Sequence, residues 1–437
     1  MKIFFYIDRS KIYNRYDPAF YIRQNKLTDS ISLYKVADVL GGKRIPKGMN
    51  YTDRPTDYLY LRVADIADNY IDYANLKHVD NKVYEILQRY EIFNNNIALS
   101  IAGTIGKVVY INDIPEDTHI ILTENCAKLV VKRHQEILPL YLKIVLELDV
   151  VQQQIQDNYI QTTIPKLSLE RIKHLSIPLP PDLQKQQEII DKYMYAYHVK
   201  QQKEREANAL LASIDDYLLS ELGIERPTLA RTENGRFFYT SFKEITGGEF
   251  APISVQNRGK QSKSTQYKEI KLSTIASITK GQAITSTEIV DGEYPVIAGG
   301  QSSPYTHNQY NHKGDVITVS ASGAYSGYVW YHDYPIFASD CSVIFSKDNN
   351  VFLTKYIYEI LRLRQKEIYL LQKGAGQPHV YASDLAQITI PVVSIEKQME
   401  IILHCNNLRI AADELTQEGK NLVESAKITI EAMILGE

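Results

Sequence analysis

Apolar positions along this chain follow two spacing regimes, and each regime occurs twice. Residues 183–220 carry a stripe in alternating three- and four-residue steps: Ile190, Tyr193, Tyr197, Lys200, Glu204, Ala207, Leu211, Ile214 and Leu218. Residues 396–434 carry a second: Ile401, Cys405, Leu408, Ala412, Leu415, Gly419, Leu422, Ala426, Thr429 and Met433. This is the spacing of a coiled-coil seam. About 40 residues at ~1.5 Å each make a rod of roughly 60 Å. Asp182 is placed to cap the first helix, Ser394 to cap the second, and Gly223 to stop the first. Similar lengths and the small residues Ala412, Gly419 and Ala426 favour pairing of the two helices over each packing only on its own globular region. The first helix must end where the second globular region begins, so the pair is expected to be antiparallel. Lys200 and Glu204 interrupt the first seam.

Residues 28–178 and 268–391 carry the other regime, short β-type runs punctuated by glycine. The runs are Val108–Ile111, Cys126–Val131, Asp315–Val319 and Cys341–Phe345. Gly103-Thr104-Ile105-Gly106 and Ser322–Gly327 read as turns between adjacent strands. A helix is expected after each frame, over Leu138–Gln156 and Leu353–Leu371, followed by a polar loop, Asn158–Lys166 and Gln372–His379.

These elements recur in order, as do short motifs. Phe4-Phe5-Tyr6 matches Phe237-Phe238-Tyr239, and Leu33–Val39 with Gly42 matches Leu272–Ile278 with Gly281. Gly106–Tyr110 matches Gly327–Tyr331, Asn125-Cys126 matches Asp340-Cys341, and Leu175–Pro178 matches Ile388–Pro391. A repeat this long is a whole domain plus a helix, not a solenoid unit. The expected fold is α+β: two similar mixed α/β domains joined by two long helices in an antiparallel coiled coil. The expected boundaries are 1–178, 179–223, 224–391 with a basic linker near 251–267, and 392–437. Internal pseudo-two-fold symmetry suits a ligand with two ends.

The chain has 437 residues, 44% hydrophobic and 23% charged, and no run of about 18 apolar residues that would span a membrane. Three unpaired-looking cysteines predict a reducing, cytoplasmic setting. The net charge of −3 argues against a nucleic-acid binder until its distribution is considered. Residues 182–222 carry −3 and residues 394–437 carry −4, so the globular remainder carries +4. Acidic rods and mildly basic domains are compatible with nucleic-acid binding.

Catalytic and metal motifs are missing. Ile101–Lys107 lacks the glycine placement and the Ser or Thr of a phosphate loop. There is no His-Glu-x-x-His, no paired Cys-x-x-Cys, no Gly-x-Ser-x-Gly elbow and no Asp/Asn-Pro-Pro-Tyr/Phe turn. A catalytic group shared by two copies should recur, and none does, so no catalytic residue, metal ligand or bound cofactor is expected.

The ordered duplication resembles the specificity (S) subunit of type I restriction–modification systems. Thr163–Leu169 and Ile177-Pro178-Leu179-Pro180-Pro181, with Gln186 or Gln187 and Ile189-Ile190, carry the resemblance in the first copy. Ile390-Pro391, Gln398 and Ile401-Ile402 carry it in the second, where Val392-Val393-Ser394 replaces Leu-Pro-Pro. Gly103–Gly106 and the turn with Gly323 and Gly327 add to it. The resemblance covers essentially the whole chain. It implies a non-catalytic DNA-reading subunit, each domain reading half of a split double-stranded site while the coiled coil spaces the halves. It further implies two docked methyltransferase (M) subunits that use S-adenosylmethionine, and restriction (R) subunits that use ATP and Mg²⁺.

Lys and Arg would position the domains on phosphates, and polar side chains would read base edges. First-copy candidates are Lys43, Arg44, Lys47, Arg62, Thr104, Lys107, Gln161, Thr162 and Lys166. Second-copy candidates are Lys280, Gln282, Gln301, Ser302, Ser322, Tyr325, Lys373, Gln377 and His379. For any single one, a reading as solvated surface stands ahead of base contact. The alternative function is a scaffold whose paired domains bind protein rather than DNA.

Overall fold

The computed structural model describes residues 30–66, 70–158, 166–180, 182–225, 263–374 and 376–436. Contacts divide the chain into two units: Met1–Lys203 with Thr416–Glu437, and Glu204–Leu415. Each combines one globular frame with half of each long helix.

In the first unit the order is β1 (Ser30–Ser32), α1 (Leu33–Val36), β2 (Ala37–Gly41), β3 (Tyr58–Leu61), β4 (Lys77–His78), α2 (Asn81–Leu87), β5 (Glu91–Ile92) and β6 (Ile97–Ser100). Then come β7 (Val108–Tyr110), β8 (His119–Leu122), β9 (Cys126–Val131), α3 (Pro139–Glu147), α4 (Asp149–Asn158), α5 (Leu169–Lys173), β10 (Ser176–Pro178) and the start of α6 (Leu183–Glu221). One sheet has the order β2-β9-β6-β7; a second, β4-β3-β8-β5, contains a parallel β3–β8 pair; β1 pairs with β10.

In the second unit, β11 (Ile224–Glu225), β12 (Lys263–Ser264), β13 (Glu269–Lys271), α7 (Leu272–Ile275), β14 (Ala276–Lys280), β15 (Tyr294–Ile297), β16 (Thr306–His307) and β17 (Val316–Ser320) follow the end of α6. Next are β18 (Val329–His332), β19 (Phe337–Ala338), β20 (Cys341–Ser346), α8 (Thr354–Leu363), α9 (Gln365–Tyr369), α10 (Ala382–Leu385), β21 (Thr389–Pro391) and the start of α11 (Ile395–Leu435). The main sheet, β14-β20-β17-β18, repeats the order of the first, β15 and β19 repeat the parallel pair, and β13 pairs with β21.

Continuous apolar strands arise because both faces of each main sheet are covered. On β17 and β20, Ile317, Val319 and Ile344 face α8, while Val316 and Val343 join Ile297 and Ile336 of the other layer. On β6 and β9, Ile97, Leu99 and Leu129 face α3, whereas Ala98 and Cys126 face the β3–β8 layer. Alternation survives, but each side has its own core.

Two helices read as continuous are broken. The first stops at Leu148, whose backbone is extended, before α4 begins. The second breaks at Arg364. That side chain is buried and bonded to Glu269 at 2.8 Å and to Thr389 Oγ1 at 3.2 Å, which ties the break to the β13–β21 pair. A tertiary ion pair of this kind leaves no periodic trace.

The long helices form as read. Asp182 accepts from the Lys185 amide at 2.8 Å and Ser394 from the Lys397 amide at 3.3 Å. Gly223 has φ +56°, the left-handed stop that glycine favours. In the first unit the helices run antiparallel: Ala196 packs with Val423 and Ala426, and Lys203 pairs with Glu418 at 2.6 Å. Gly419 sits against Lys200, where an added Cβ would lie 3.3 Å from Lys200 Cα. In the second unit the Tyr217 ring lies 3.9 Å from that of His404, tilted by 33°, and Glu221 pairs with Lys397, again antiparallel. Each half also covers its own frame. Ile189, Ile190, Tyr193 and Ile430 enter the first core, and Ile214, Leu218, Ile401 and Cys405 the second.

The seam needs three corrections, at Leu211, Thr429 and Met433. Leu211 is 43% exposed and lines a cleft of about 840 Å³ with Tyr328, Trp330 and Arg362; Met433 is 48% exposed. Toward the end of α11 the buried positions are Val423, Ala426 and Ile430, with Thr429 outside. An α-helix turns every 3.6 residues, so a strict seven-residue count drifts by ~20° per heptad. Tyr197, Leu408, Leu415 and Leu422 are half-buried at the stripe's margin. The aromatic motif pair at 4–6 and 237–239 lies outside the described residues, as does the basic stretch up to residue 262.

Candidate nucleic-acid interface

At one end of each main sheet, loops from distant parts of the sequence meet. In the first unit the Lys43 amide donates to the Leu122 carbonyl at 2.9 Å and the Gly42 amide to that of Cys126 at 3.1 Å. In the second, Gln282 donates to Ala338 and Gly281 to Cys341, both at 2.9 Å. Both glycines are required by proximity: an added Cβ would lie 2.0 Å from the Thr123 carbonyl oxygen at Gly42 and 2.1 Å from that of Ser339 at Gly281. Lys43 and Gln282 are therefore equivalent positions on a shared backbone.

The strand turns join the same end. Ile101 donates to the Asn125 carbonyl and Ala321 to that of Asp340. Lys166 bridges to Ala102 as His379 does to Ser322. Gly103 and Gly106 have φ of +75° and +94°, and Gly323 and Gly327 of +88° and +94°, so both turns use left-handed glycines at matching places, the second with one residue more between them. Gln152 and Gln365 each donate a side-chain amide to the carbonyl of the second glycine, at 2.9 and 2.7 Å.

Most candidates gather here. Lys43, Thr104, Lys107 and Lys166 are exposed in the first unit, and Lys280, Gln282, Gln301, Ser302, Tyr325 and Gln377 in the second. Lys47 is exposed on the turn beyond Pro46. Gln161 and Thr162 lie outside the described residues. Five of the described candidates have side chains with hydrogen-bonding or ion-pair partners in the protein, and one of them is Lys107, whose Nζ donates to the Ile66 carbonyl at 3.3 Å. Arg44 pairs with Glu124 at 2.5 Å while remaining 79% exposed; Arg62 is held by Asp65 through two bonds of 2.9 and 2.5 Å. Ser322 donates to Asp340, and Lys373 pairs with Asp384 at 2.9 Å. His379 stacks on Tyr381 at 6.2 Å.

Sequence reasoning missed the carboxylates that organise this end. Burial works to raise the Glu124 carboxyl, but Arg44, Thr123 and its own backbone amide outweigh it and hold it below the usual carboxylate range. Tyr60 donates to the Lys43 carbonyl at 2.8 Å, and burial pushes its hydroxyl up to about 12. The Asn125/Asp340 match marks the correct turn; nothing in the sequence pairs Arg44 with a residue 80 positions away. Exposed cations beside amides and hydroxyls can meet phosphate and base edges respectively. Among the described residues no cluster of His, Cys, Asp or Glu could hold a metal, and no helix is long and apolar enough to cross a membrane. Cys126, Cys341 and Cys405 are buried, and burial pushes each thiol up to about 12.

The chain is similar to known specificity subunits. It is 24% identical over 162 residues to the EcoBI specificity subunit of a type I restriction enzyme from Escherichia coli, covering 37% of this chain and 33% of that protein. It is 24% identical over 270 residues to a putative type I specificity subunit from Mycoplasma pneumoniae, covering 60% and 64%. It thus spans a third and just under two thirds of these relatives' lengths. Among solved structures, an S subunit of a type I system from M. genitalium aligns over 93% of this chain and 94% of its own, at 16% identity and TM-score 0.44. The HsdS subunit from Thermoanaerobacter tengcongensis aligns over 93% and 96%, at 13% identity and TM-score 0.36. The model of the type I restriction modification DNA specificity domain matches residues 28–207 and 264–425, one frame each and more than half of the chain together. The chain therefore belongs to the type I restriction modification DNA specificity domain family.

Proposed function

We propose that this chain is the sequence-reading subunit of a type I restriction–modification complex, each globular domain taking one half of a split duplex site. The observation that carries this is a shared frame with unlike side chains at its loop end: Lys43 stands where Gln282 does, and Lys166 where His379 does. Equal scaffolds with unequal tips suit two different half-sites on one DNA. The coiled coil holds the halves at a fixed spacing and gives two methyltransferase subunits a surface to dock on; restriction subunits complete the complex. S-adenosylmethionine, ATP and Mg²⁺ belong to those partners, and this chain supplies no reacting group. Exposed Lys43, Lys107, Lys166 and Lys280 take phosphates, while Gln282, Gln301 and Gln377 take base edges.

One observation favours a second reading, a protein-binding scaffold: Arg44, Arg62 and Lys373 already have carboxylate partners. Salt separates the two. A DNA reader assembled with its methyltransferase partner binds specific duplex with an affinity that falls steeply as salt rises. A complex that shows no preference among duplexes at low salt supports the scaffold.

A further inference from the structure

Both units contain the same joint between sheet, closing strand and long helix. In the first, the Gln186 side chain on α6 is fully buried. Its Oε1 accepts from the Leu138 amide at 2.9 Å, and its Nε2 donates to the Glu136 carbonyl at 2.7 Å. The adjacent Gln187 points outward and bonds Asp191. The Tyr141 hydroxyl of α3 donates to the Pro178 carbonyl at 3.0 Å. In the second unit Gln398 on α11, also fully buried, accepts from the Leu353 amide at 2.8 Å and donates to the Val351 carbonyl at 2.9 Å. The Tyr356 hydroxyl donates to the Pro391 carbonyl at 2.9 Å.

The two joints match in these bonds although the loop ends differ, and the Gln398 Nε2 also donates to the Val393 carbonyl at 3.2 Å. Each glutamine satisfies a donor and an acceptor in the turn that starts α3 or α8. Rotating or sliding the long helix would break both bonds and leave the fully buried glutamine amide unpaired. Apolar burial, being non-directional, resists such slippage far less.

We propose that Gln186 with Tyr141, and Gln398 with Tyr356, are positioning residues that fix how each recognition domain is mounted on the coiled coil, and so set how strictly the length of the unread DNA spacer is enforced. This rests on the split-site reading above. One extra base pair moves a half-site by ~3.4 Å along the duplex axis and turns it by roughly 35°. A mount held by directional bonds rejects that change; one held by apolar packing alone yields to it.

The test uses the full chain with its methyltransferase subunits, on duplexes that keep both half-sites and lengthen or shorten the spacer by one base pair. Gln186→Met and Gln398→Met keep side-chain bulk and remove both bonds. Tyr141→Phe and Tyr356→Phe remove only a hydroxyl and decide the matter if the methionine variants do not fold. The wild type is expected to methylate a single spacer length. The variants are expected to methylate neighbouring spacers at about a tenth of the original rate or more, with half-site base preference unchanged. Folded variants as strict as the wild type, or variants that lose base preference while keeping one spacer, overturn the inference. A wild-type complex with no split-site preference overturns the reading beneath it, and the inference with it.

Discussion

At Gly42 and Gly281, the scale of single residues, the loops that carry Lys43 and Gln282 are set by contact distance. A methyl group at either position would overlap a carbonyl oxygen about 2 Å away, so Gly42→Ala or Gly281→Ala should cost roughly 2–3 kcal/mol. Thermal denaturation would show the loss, and base preference in the corresponding half-site would weaken with it. Side chains on the same loops should divide by chemistry. Lys43→Ala should weaken binding to all sequences and lower the salt slope by about 1, whereas Gln282→Ala should relax preference at one base. Titration follows from burial. The thiols of Cys126, Cys341 and Cys405 rise from 9.0 to about 12, and Tyr60, Tyr73 and Tyr84 rise from 10.0 to about 12. A raised folded value favours the protonated form. The stability it contributes is therefore complete below pH 9 and is lost as pH climbs toward 12. Denaturant midpoints should be flat from pH 7 to 8.5 and fall above that range, and Cys126→Val should flatten part of the fall.

The elements show what a one-dimensional pattern can carry. The four β-type runs and the long helices were legible because apolar period and duplication agree; the order of strands in each sheet was not. The breaks at Leu148 and Arg364 were not: the buried Arg364–Glu269 pair behind the second spans 95 residues, and the extended backbone of Leu148 leaves no mark on the apolar period. The seam was legible except at Leu211, which lines a cleft although Ala207, Ile214 and Leu218 around it are buried, and toward Met433, where strict heptad counting outruns helical twist. The helices are also held by polar contacts that periodicity cannot reveal. Arg409 grips the fully buried Glu359 through two bonds of 2.7 and 2.6 Å. Arg409→Ala would strand that carboxylate and should cost about 3 kcal/mol, read as a lowered unfolding midpoint. Glu359→Gln should cost less, since the guanidinium it leaves without a carboxylate is 27% exposed and keeps contact with water. At Gly419, where the helix approaches Lys200 closely, Gly419→Val should destabilise by about 1–3 kcal/mol through overpacking.

Taken whole, the molecule joins a repeated frame to unrepeated tips. The repeat was visible as matched motifs, and family membership agrees with it. The composition of the candidate interface was only half visible. Exposed lysines and amides fall where the repeat places them, but Glu124, Asp340 and Asp384, which engage Arg44, Ser322 and Lys373, come from elsewhere in the sequence. The central claim is that each domain independently reads one half of a split site. The most direct measurement is the methylation motif of the assembled complex when only second-copy tips are changed, by Lys280→Ala, Gln282→Ala and Gln377→Ala together. The account predicts that one half of the motif becomes permissive while the other half keeps its bases. A motif that changes in both halves, or in neither while methylation continues, would contradict it.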